Sequence, residues 1–273
     1  MTTELQPVGA AAGLRPESAR SFVVPLDGSE QAAAAVRVAR VLAQVMGGTV
    51  HLVHVAAGAA LPLSQLVGAL HLRPGELVGS IVDELTGEPA ERILALADLL
   101  ERPLVVLSAE AEEDALGPVA GAVLERGTSP VVLVKPERLE APWSLSHVLL
   151  PHDGAASTGA ALGPALDLAE LAGAQLTVLH VASPETAAAL PAYEDQPQHE
   201  WTAWTRLFLE RLAIHAGVAM QPSTQLVLAH GEAGPEIVRF AARHEVDLVG
   251  LAGLGRAFRE VVRRCSCPVM ALR

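Results

Sequence analysis

Short apolar runs alternate with helix-like segments along this chain, and the same alternation occurs twice. Each copy opens with an apolar run that ends in Pro-x-Asp-Gly, at residues 23–28 and again at residues 148–154. An Ala-rich segment with helical periodicity follows, and after it comes a β-rich run, TVHLVHV or QLTVLHV. Residues 21–55 therefore run parallel to residues 146–181, each as one strand-helix-strand unit.

Two further segments repeat in the same order. Residues 87–108 match residues 231–252 as a helix that leads into an apolar strand, and residues 129–135 match residues 267–273 as a final strand. Strands that alternate with helices of roughly 10–15 residues favour a parallel sheet with helices on both faces. We therefore predict an α/β protein of two tandem, doubly wound parallel-sheet domains with about five strands each.

The segment between the two copies carries two prolines and mixed charge, which is typical of a linker. We place the first domain at residues 21–136, the linker at 137–145 and the second domain at 146–273. Residues 1–20 mix proline, glycine and serine with charge and lack the apolar run of a signal peptide, so we predict a flexible tail there.

Composition narrows the classes of partner. A formal net charge of −12 disfavours non-specific binding to nucleic acid, because contacts to phosphate supply most of that affinity. Charged residues or prolines interrupt every apolar stretch before it reaches the roughly 18 residues of a membrane span. The chain has two cysteines, which fits a reducing compartment. We expect a cytoplasmic protein that binds neither nucleic acid nor membrane.

Few residues suggest catalysis or metal binding. Cys265 and Cys267 are too few for a zinc site, and we interpret them as packing residues, with a redox pair as the alternative. His51 and His54 point to opposite faces of one strand and cannot chelate one metal; His54 and its counterpart His180 are interpreted as hydrogen-bonded core residues. With no G-x-S-x-G elbow and no convincing acid–base pair, we predict no catalytic residue and no metal site.

An aromatic stripe falls in the second copy. Trp201, Trp204 and Phe208 lie at i, i+3 and i+7 of a helix predicted over residues 197–216, which places them on one face. Core packing is the default interpretation. A partner surface, or a lid over the second crevice, is the alternative.

Four motifs together resemble the universal stress protein family: V-P-x-D-G-S, a strand ending in L-V-H-V, G-x-P-A-x-x-I, and S/C-P-V-x-x-V. The resemblance covers nearly everything after residue 21. It implies an adenine nucleotide alpha-hydrolase-like fold with strand order 3-2-1-4-5 in each domain. It also implies that members which bind ATP or another adenine nucleotide hold it at the carboxyl ends of strands one and four.

In binding members of the family, a G-x-x-G turn and a later Gly-Ser or Gly-Thr pair wrap the phosphates with backbone amides. The first copy has Ser108 and Ala111 at the turn and Gly117-Pro118 at the pair. Proline has no N–H to offer. The same loop carries four acidic residues, Glu110, Glu112, Glu113 and Asp114. We therefore predict that the first domain does not bind ATP.

The second copy has Ala252 and Gly255 at the turn positions, with Gly253 between them, and its later phosphate segment is missing. Gly253, Gly255, Arg256 and Arg259 nevertheless keep this loop flexible and basic. A smaller anion, or a nucleotide such as ATP or AMP bound weakly, therefore remains an alternative to no cofactor at all.

Both copies have residues that match the family positions at the base and sugar end of the site. Asp153 and Val181 match family positions near the ribose and adenine, and with Gly253, Gly255 and Arg256 they are the candidate binding residues. Asp27 and Val55 are their vestigial counterparts in the first copy. A purely structural interpretation is open, because an Asp at this place can cap the next helix and a buried strand Val needs no ligand.

The last strand of each copy, Val131 to Val134 and Pro268 to Leu272, would leave an exposed sheet edge on an isolated domain. We predict that the two strands pair and so form, within one chain, the dimer that single-domain family members form. Association of two whole chains into a homodimer is an additional alternative. The leading hypothesis is a non-enzymatic stress-response or regulatory protein that acts through unknown protein partners. The alternative is an adenine nucleotide or small-anion sensor that uses the second domain.

Overall fold

A computed structural model describes most of the chain. The described residues are 20–56, 67–68, 70–72, 77–101, 103–109, 116–139, 142–153, 159–182, 214, 217 and 224–272. Trp201, Trp204 and Phe208 lie outside them, as does the acidic segment 110–114. Of the predicted tail only Arg20 is described; it is a buried residue that begins the first strand.

The first half contains five strands and three helices among its described residues. In chain order they are β1 (Arg20–Leu26), α1 (Ala32–Met46), β2 (Gly48–Ala56), β3 (Ile81–Thr86), α2 (Pro89–Leu99), β4 (Leu104–Ser108), α3 (Pro118–Arg126) and β5 (Val131–Val134). A short 3-10 helix, Pro136–Arg138, follows β5.

The second half repeats this order among its described residues. Its elements are β6 (His147–Pro151), α4 (Leu162–Ala172), β7 (Gln175–Ala182), β8 (Gln225–His230), α5 (Ala233–Arg243), β9 (Leu248–Ala252), α6 (Arg256–Arg264) and β10 (Val269–Leu272). None of the helices in the described ranges is both long and apolar enough to cross a membrane.

All ten strands form one continuous sheet in the order β3-β2-β1-β4-β5-β10-β9-β6-β7-β8. Each half therefore has the predicted order 3-2-1-4-5, and the fold-class prediction is confirmed. Neighbouring strands are parallel within each half, whereas β5 and β10 pair antiparallel at the centre, with Val132 opposite Met270. The predicted pairing of the two final strands is thus present, and each covers the other's edge.

Helices cover both faces of the sheet. One apolar cluster joins α1 and α4 to strand residues from both halves, among them Phe22, Val132 and Met270. A second cluster on the opposite face joins α2, α3, α5 and α6, and it too draws on both halves. Because the central strands are buried on both faces, they are continuous apolar runs, as parallel sheets require.

The segment between the halves is held by one carboxylate. The Asp247 side chain, just before β9, accepts hydrogen bonds from the Ser146 N–H at 2.8 Å, the Ser146 hydroxyl at 2.6 Å and the His147 N–H at 2.9 Å. The Trp143 indole donates to the Asp247 carbonyl at 3.3 Å. The beginning of β6 is therefore tied to the beginning of β9 before the sheet continues.

Candidate functional site

A cavity of about 710 Å³ opens in the first half at the carboxyl ends of β1 and β4. The chain leaves β1 toward β2 and leaves β4 toward β5, so the loops diverge and open a crevice, which is the usual ligand position in open parallel sheets. Its walls come from the loop after β1, the end of β2, the start of α2, the end of β4 and the start of α3. The volume lies within the range of small-ligand pockets, roughly 300–1,000 Å³.

Asp27 lies at the rim of this cavity and is engaged locally. Its carboxylate accepts hydrogen bonds from the Ser29 N–H at 2.9 Å and the Ser29 hydroxyl at 2.7 Å, and Gly28 between them has a φ of 83°. Helix α1 begins later, with Gln31 at the N-cap and no side-chain cap. The helix-capping interpretation of Asp27 is therefore wrong: this carboxylate closes an Asx-type turn instead.

A histidine supports the Asp-bearing loop in each half. The His54 Nδ1 donates to the Leu26 carbonyl at 3.0 Å, and the His180 Nδ1 donates to the His152 carbonyl at 2.8 Å. Both acceptors immediately precede the aspartates, so each histidine ties the residue before the aspartate to the neighbouring strand. The interpretation as hydrogen-bonded core residues is confirmed for His54, which is buried, whereas His180 is hydrogen-bonded but only half-buried.

The described wall at the end of the cavity where phosphates would lie offers few side-chain donors. The Ser108 hydroxyl donates to the Gln31 carbonyl at 2.9 Å, and the Ala109 N–H donates to the Val134 carbonyl at 2.8 Å. Pro118 is the first residue of α3 and lacks an N–H, and Gly117 at the N-cap contributes no side chain. In the described part of the wall, the lining residues include the carboxylates of Asp27 and Glu30 but neither lysine nor arginine.

The second half has a much shorter loop at the equivalent place. Only Gly253 to Gly255 separate β9 from α6, whereas residues 109–117 separate β4 from α3. Gly253 has a φ of 79°, a left-handed conformation that favours glycine. Gly255 is the N-cap of α6 without a side-chain cap, and Arg256 and Arg259 on the first turn are exposed.

The remaining second-half candidates surround the same sheet end. Asp153 is exposed just after β6, and Val181 is half-buried near the end of the adjacent strand β7. His152 beside Asp153 is 3% exposed, and this burial lowers the pKa of its imidazole. Because β9 also neighbours β6, the loop at 253–255 opens beside Asp153.

The universal stress protein family model matches the chain twice, over residues 19–135 and residues 145–273. The chain belongs to the universal stress protein family. Membership makes it a stress-response protein, and the two matches make it a tandem member whose halves form an intramolecular pseudo-dimer through β5 and β10.

Solved structures show the same two-domain fold at low sequence identity. A functionally unknown protein from Pseudomonas aeruginosa PAO1 is 17% identical with a TM-score of 0.67, and the alignment covers 94% of this chain and 93% of that one. A universal stress protein from Archaeoglobus fulgidus DSM 4304 is 16% identical with a TM-score of 0.62, and the alignment covers 94% of this chain and 97% of that one. No curated protein sequence matches the chain significantly.

In this tandem universal stress protein, Asp27 and Val55 both line the first-half cavity; their roles as sugar and base contacts stay a prediction. Sequence reasoning missed two other wall residues, Pro89 and Ile93 at the start of α2. The signal was present, because both belong to the G-x-P-A-x-x-I motif, which we used only to recognise the family. Among the described residues no group of three or more His, Cys, Asp or Glu side chains could hold a metal ion.

A second cavity of about 850 Å³ lies at the opposite end of the sheet, between α1, the beginning of β2 and the linker. Arg40 reaches it but donates to the Val78 carbonyl at 3.2 Å. Trp143 forms another part of its wall. Since this cavity adjoins the amino ends of the strands, it lies away from the crevice that the fold uses for ligands.

Proposed function

We propose that this protein is a non-enzymatic regulator of the stress response that acts through protein partners and does not bind ATP in its first domain. One observation carries the proposal: the described wall of the first-half cavity contains carboxylates and no basic side chain, and Pro118 begins α3 where a phosphate would need an N–H. The described wall therefore offers little side-chain chemistry for binding phosphate.

Approximate energies of charge repulsion and hydrogen bonding support this interpretation. A phosphate held near Asp27 or Glu30 would meet like charge at a cost of roughly 1–4 kcal/mol for each close pair, depending on screening. Charge-assisted hydrogen bonds of roughly 1.5–3 kcal/mol each would have to offset that cost. The Ser108 hydroxyl and the Ala109 N–H already bond to backbone carbonyls, and Pro118 contributes no donor. The balance therefore opposes a bound triphosphate.

The proposal that no reaction is catalysed rests on the same wall. The two serine hydroxyls that line its described part are committed locally, Ser29 to Asp27 and Ser108 to the Gln31 carbonyl. Among the described lining residues, no lysine or arginine is present to stabilise charge that develops in a transition state. A hydrolase would need a positioned water and an activating base beside a bound substrate.

A second candidate function is an adenine nucleotide or small-anion sensor in the second domain. The observation that favours it is the glycine loop before α6, where Gly253 adopts a left-handed conformation and Gly255 leaves the helix N-terminus uncapped beside Arg256. Backbone N–H groups at a helix N-terminus attract anions, and an adjacent arginine adds positive charge. Asp153 and Val181 would flank the sugar and base.

Calorimetric titration with Mg-ATP, ADP and AMP distinguishes the two functions. The wild-type protein is compared with Arg256→Glu and with Arg243→Glu, a control that makes the same charge change at the far end of α5. We expect no binding heat for any nucleotide with any of the three proteins. Heat that is lost only in Arg256→Glu would establish the sensor, and heat that persists in both variants would place a nucleotide elsewhere and contradict the proposal.

A further inference from the structure

Two cysteine sulfur atoms meet where α6 ends. Cys265 is the C-cap residue of α6 and leaves the helix in an extended conformation, and the Sγ atoms of Cys265 and Cys267 lie 3.2 Å apart, within hydrogen-bonding distance. Cys265 is 2% exposed and packs in the second apolar cluster, whereas Cys267 is partly exposed. The pair is therefore preassembled, with Cys265 in the core and Cys267 at the edge of the protein surface.

The two sulfur atoms have different electrostatic surroundings. The hydrogen bond from the Cys267 thiol lowers the pKa of Cys265 to about 7, and the nearby Lys135 ammonium acts in the same direction. The same hydrogen bond, together with burial, raises the pKa of Cys267. Near neutral pH one sulfur is thus partly ionised to a thiolate while its neighbour retains a proton.

Lys135 explains how a thiolate is tolerated at the end of a helix. The C-terminal end of a helix dipole carries partial negative charge, which by itself disfavours an anion. The Lys135 Nζ donates to the Arg263 carbonyl at 2.6 Å, and an Arg138 guanidinium nitrogen donates to the Arg264 carbonyl at 2.9 Å. Two positively charged side chains, one just after β5 and one in the linker, therefore cover the last carbonyls of α6 beside Cys265.

We propose that Cys265 and Cys267 form a reversible dithiol–disulfide centre that a small hydroperoxide oxidises. In the first step the Cys265 thiolate attacks one peroxide oxygen, the O–O bond breaks, and the released oxide takes a proton to leave as water or an alcohol. In the second step the Cys267 sulfur attacks the resulting sulfenic acid, the S–O bond breaks and water leaves. Overall, two thiols and one hydroperoxide become one disulfide and two small products. These are the water or alcohol released in the first step and the water released in the second.

This centre is independent of the nucleotide question, because it lies at the opposite end of α6 from Arg256. Its position connects it to the pairing of the two halves. Arg138 also donates to the Cys265 carbonyl at 3.4 Å, and Cys267 lies just before β10, the strand that pairs with β5. A disulfide there would close a small ring between the helix end and the central strand, and strained disulfides of this kind are readily reduced again.

The experiment treats the full-length reduced protein with equimolar hydrogen peroxide under native conditions, followed by thiol alkylation and digestion with trypsin. Cleavage after Arg264 yields the peptide 265–273, which contains both cysteines and no other basic residue before its terminal Arg273. We expect this peptide to become lighter by the mass of two hydrogen atoms and to resist alkylation, and dithiothreitol to restore it. Oxidation of Met270 in the same peptide would instead add the mass of oxygen.

Two variants test the assigned roles. Cys267→Ser should stop at a sulfenic acid on Cys265 that dimedone traps. Cys265→Ser should react about tenfold more slowly than the wild type, because the remaining thiol is mostly protonated. Circular dichroism of each variant verifies that it is folded, and the wild-type peptide result stands without either of them.

Three results would overturn the proposal: a wild-type peptide that keeps both free thiols, one that gains oxygen on sulfur without forming the disulfide, and disulfides that join two protein molecules. Equal oxidation rates for the native protein and for the protein in denaturant would also overturn it, because the reactivity would then owe nothing to the folded arrangement.

Discussion

Lys135 is the only lysine of the chain, and the structure buries it at the end of β5, where it is 5% exposed. Burial, with the nearby Arg138, lowers its pKa from an ordinary value of 10.5 to about 8. Its hydrogen bond to the Arg263 carbonyl joins the first half to the last helix of the second. A residue that resembles a surface cation in the sequence is therefore part of the contact between the halves.

This burial makes stability depend on pH in a defined direction. Between about pH 8 and 10.5 the folded protein has released the Lys135 proton while the unfolded chain still holds it. Because the unfolded state then binds more protons, the free energy of unfolding should rise with pH across this window, by roughly 1–3 kcal/mol from this residue. Urea denaturation of the wild type and of Lys135→Met at several pH values measures this change in the free energy of unfolding.

The difference between the two stability curves removes the contribution of groups that titrate in the same range without interacting with Lys135. We expect the wild type to gain stability relative to Lys135→Met as the pH rises through the window. Parallel curves would contradict the assigned burial of the ammonium group. Methionine preserves most of the volume, so a constant offset between the curves reports only the lost hydrogen bond and packing.

At the scale of single elements, the end of α3 shows where a helix leaves no room for a side chain. Gly127 ends α3, and a Cβ placed there would lie 2.6 Å from the Val123 carbonyl oxygen and 2.9 Å from a Leu94 methyl group on α2. A Cβ at Gly121, in the middle of the same helix, would meet no atom within 4 Å. A side chain at Gly127 would therefore make close contacts, whereas a side chain at Gly121 would have space.

We predict opposite effects of alanine at these two positions. Gly127→Ala should lower the free energy of unfolding by roughly 1–3 kcal/mol, because the backbone oxygen that it meets cannot move without shifting the helix end. Gly121→Ala should raise stability by roughly 0.5–1 kcal/mol, since it reduces the entropy of the unfolded chain at no steric cost. Chemical denaturation of both variants provides the comparison, and equal effects would refute the close approach at Gly127.

At the scale of the whole molecule, the two domains share one sheet and both apolar clusters. Val131 to Val134 are completely or almost completely buried, and they pair with a β10 strand that is similarly buried. The contact between the halves therefore resembles the interior of one domain more than a transient interface. Such continuity favours unfolding of both halves together.

We predict a single cooperative thermal transition for the wild type and a specific effect of charge at its centre. Val132→Lys would place an unpaired ammonium group between the halves at a cost of several kcal/mol, about 3–5 by analogy with unpaired buried charges. Ile81→Lys on edge strand β3, where the native side chain is 47% exposed, is the matched control. Differential scanning calorimetry should show the first variant melting earlier or in two steps and the control near the wild type.

Two transitions in the wild type, or equal melting of the two variants, would contradict a shared structure. The same calorimetric traces also bear on further self-association, because the edges of the ten-stranded sheet are β3 and β8 rather than β5 and β10. A melting temperature that rises with protein concentration would indicate a homodimer.

Much of the fold was predictable from the amino-acid sequence. The duplicated alternation of strand and helix patterns predicted two parallel-sheet halves, since these periods follow from which faces must be buried. The family motifs implied the strand order and the crevice at the ends of β1 and β4. The L-x-H-V strands predicted hydrogen-bonded core histidines; His54 and His180 are both hydrogen-bonded, but only His54 is buried.

The candidate site was less predictable, because side-chain partners depend on distances between segments that are far apart in the chain. The sequence suggested that the Asp27 carboxylate caps α1. In the structure this carboxylate instead accepts hydrogen bonds from the N–H and the hydroxyl of Ser29, two residues later. The roles of Pro89 and Ile93 in the cavity wall also depend on the packing of α2 against β1 and β2. The absence of an N–H at Pro118 was visible in the sequence alone, since proline lacks this donor in any structure.

The sequence by itself determined the duplicated architecture, the family and the chemistry that the loops can offer, because all of these are local properties of residue type and spacing. Only the tertiary structure decided that Cys265 and Cys267 touch, that Lys135 covers the end of α6, and that Asp247 ties β6 to β9. Each of these contacts requires a particular backbone direction or brings together residues about 100 or more positions apart, and chain folding, not residue spacing, sets such distances.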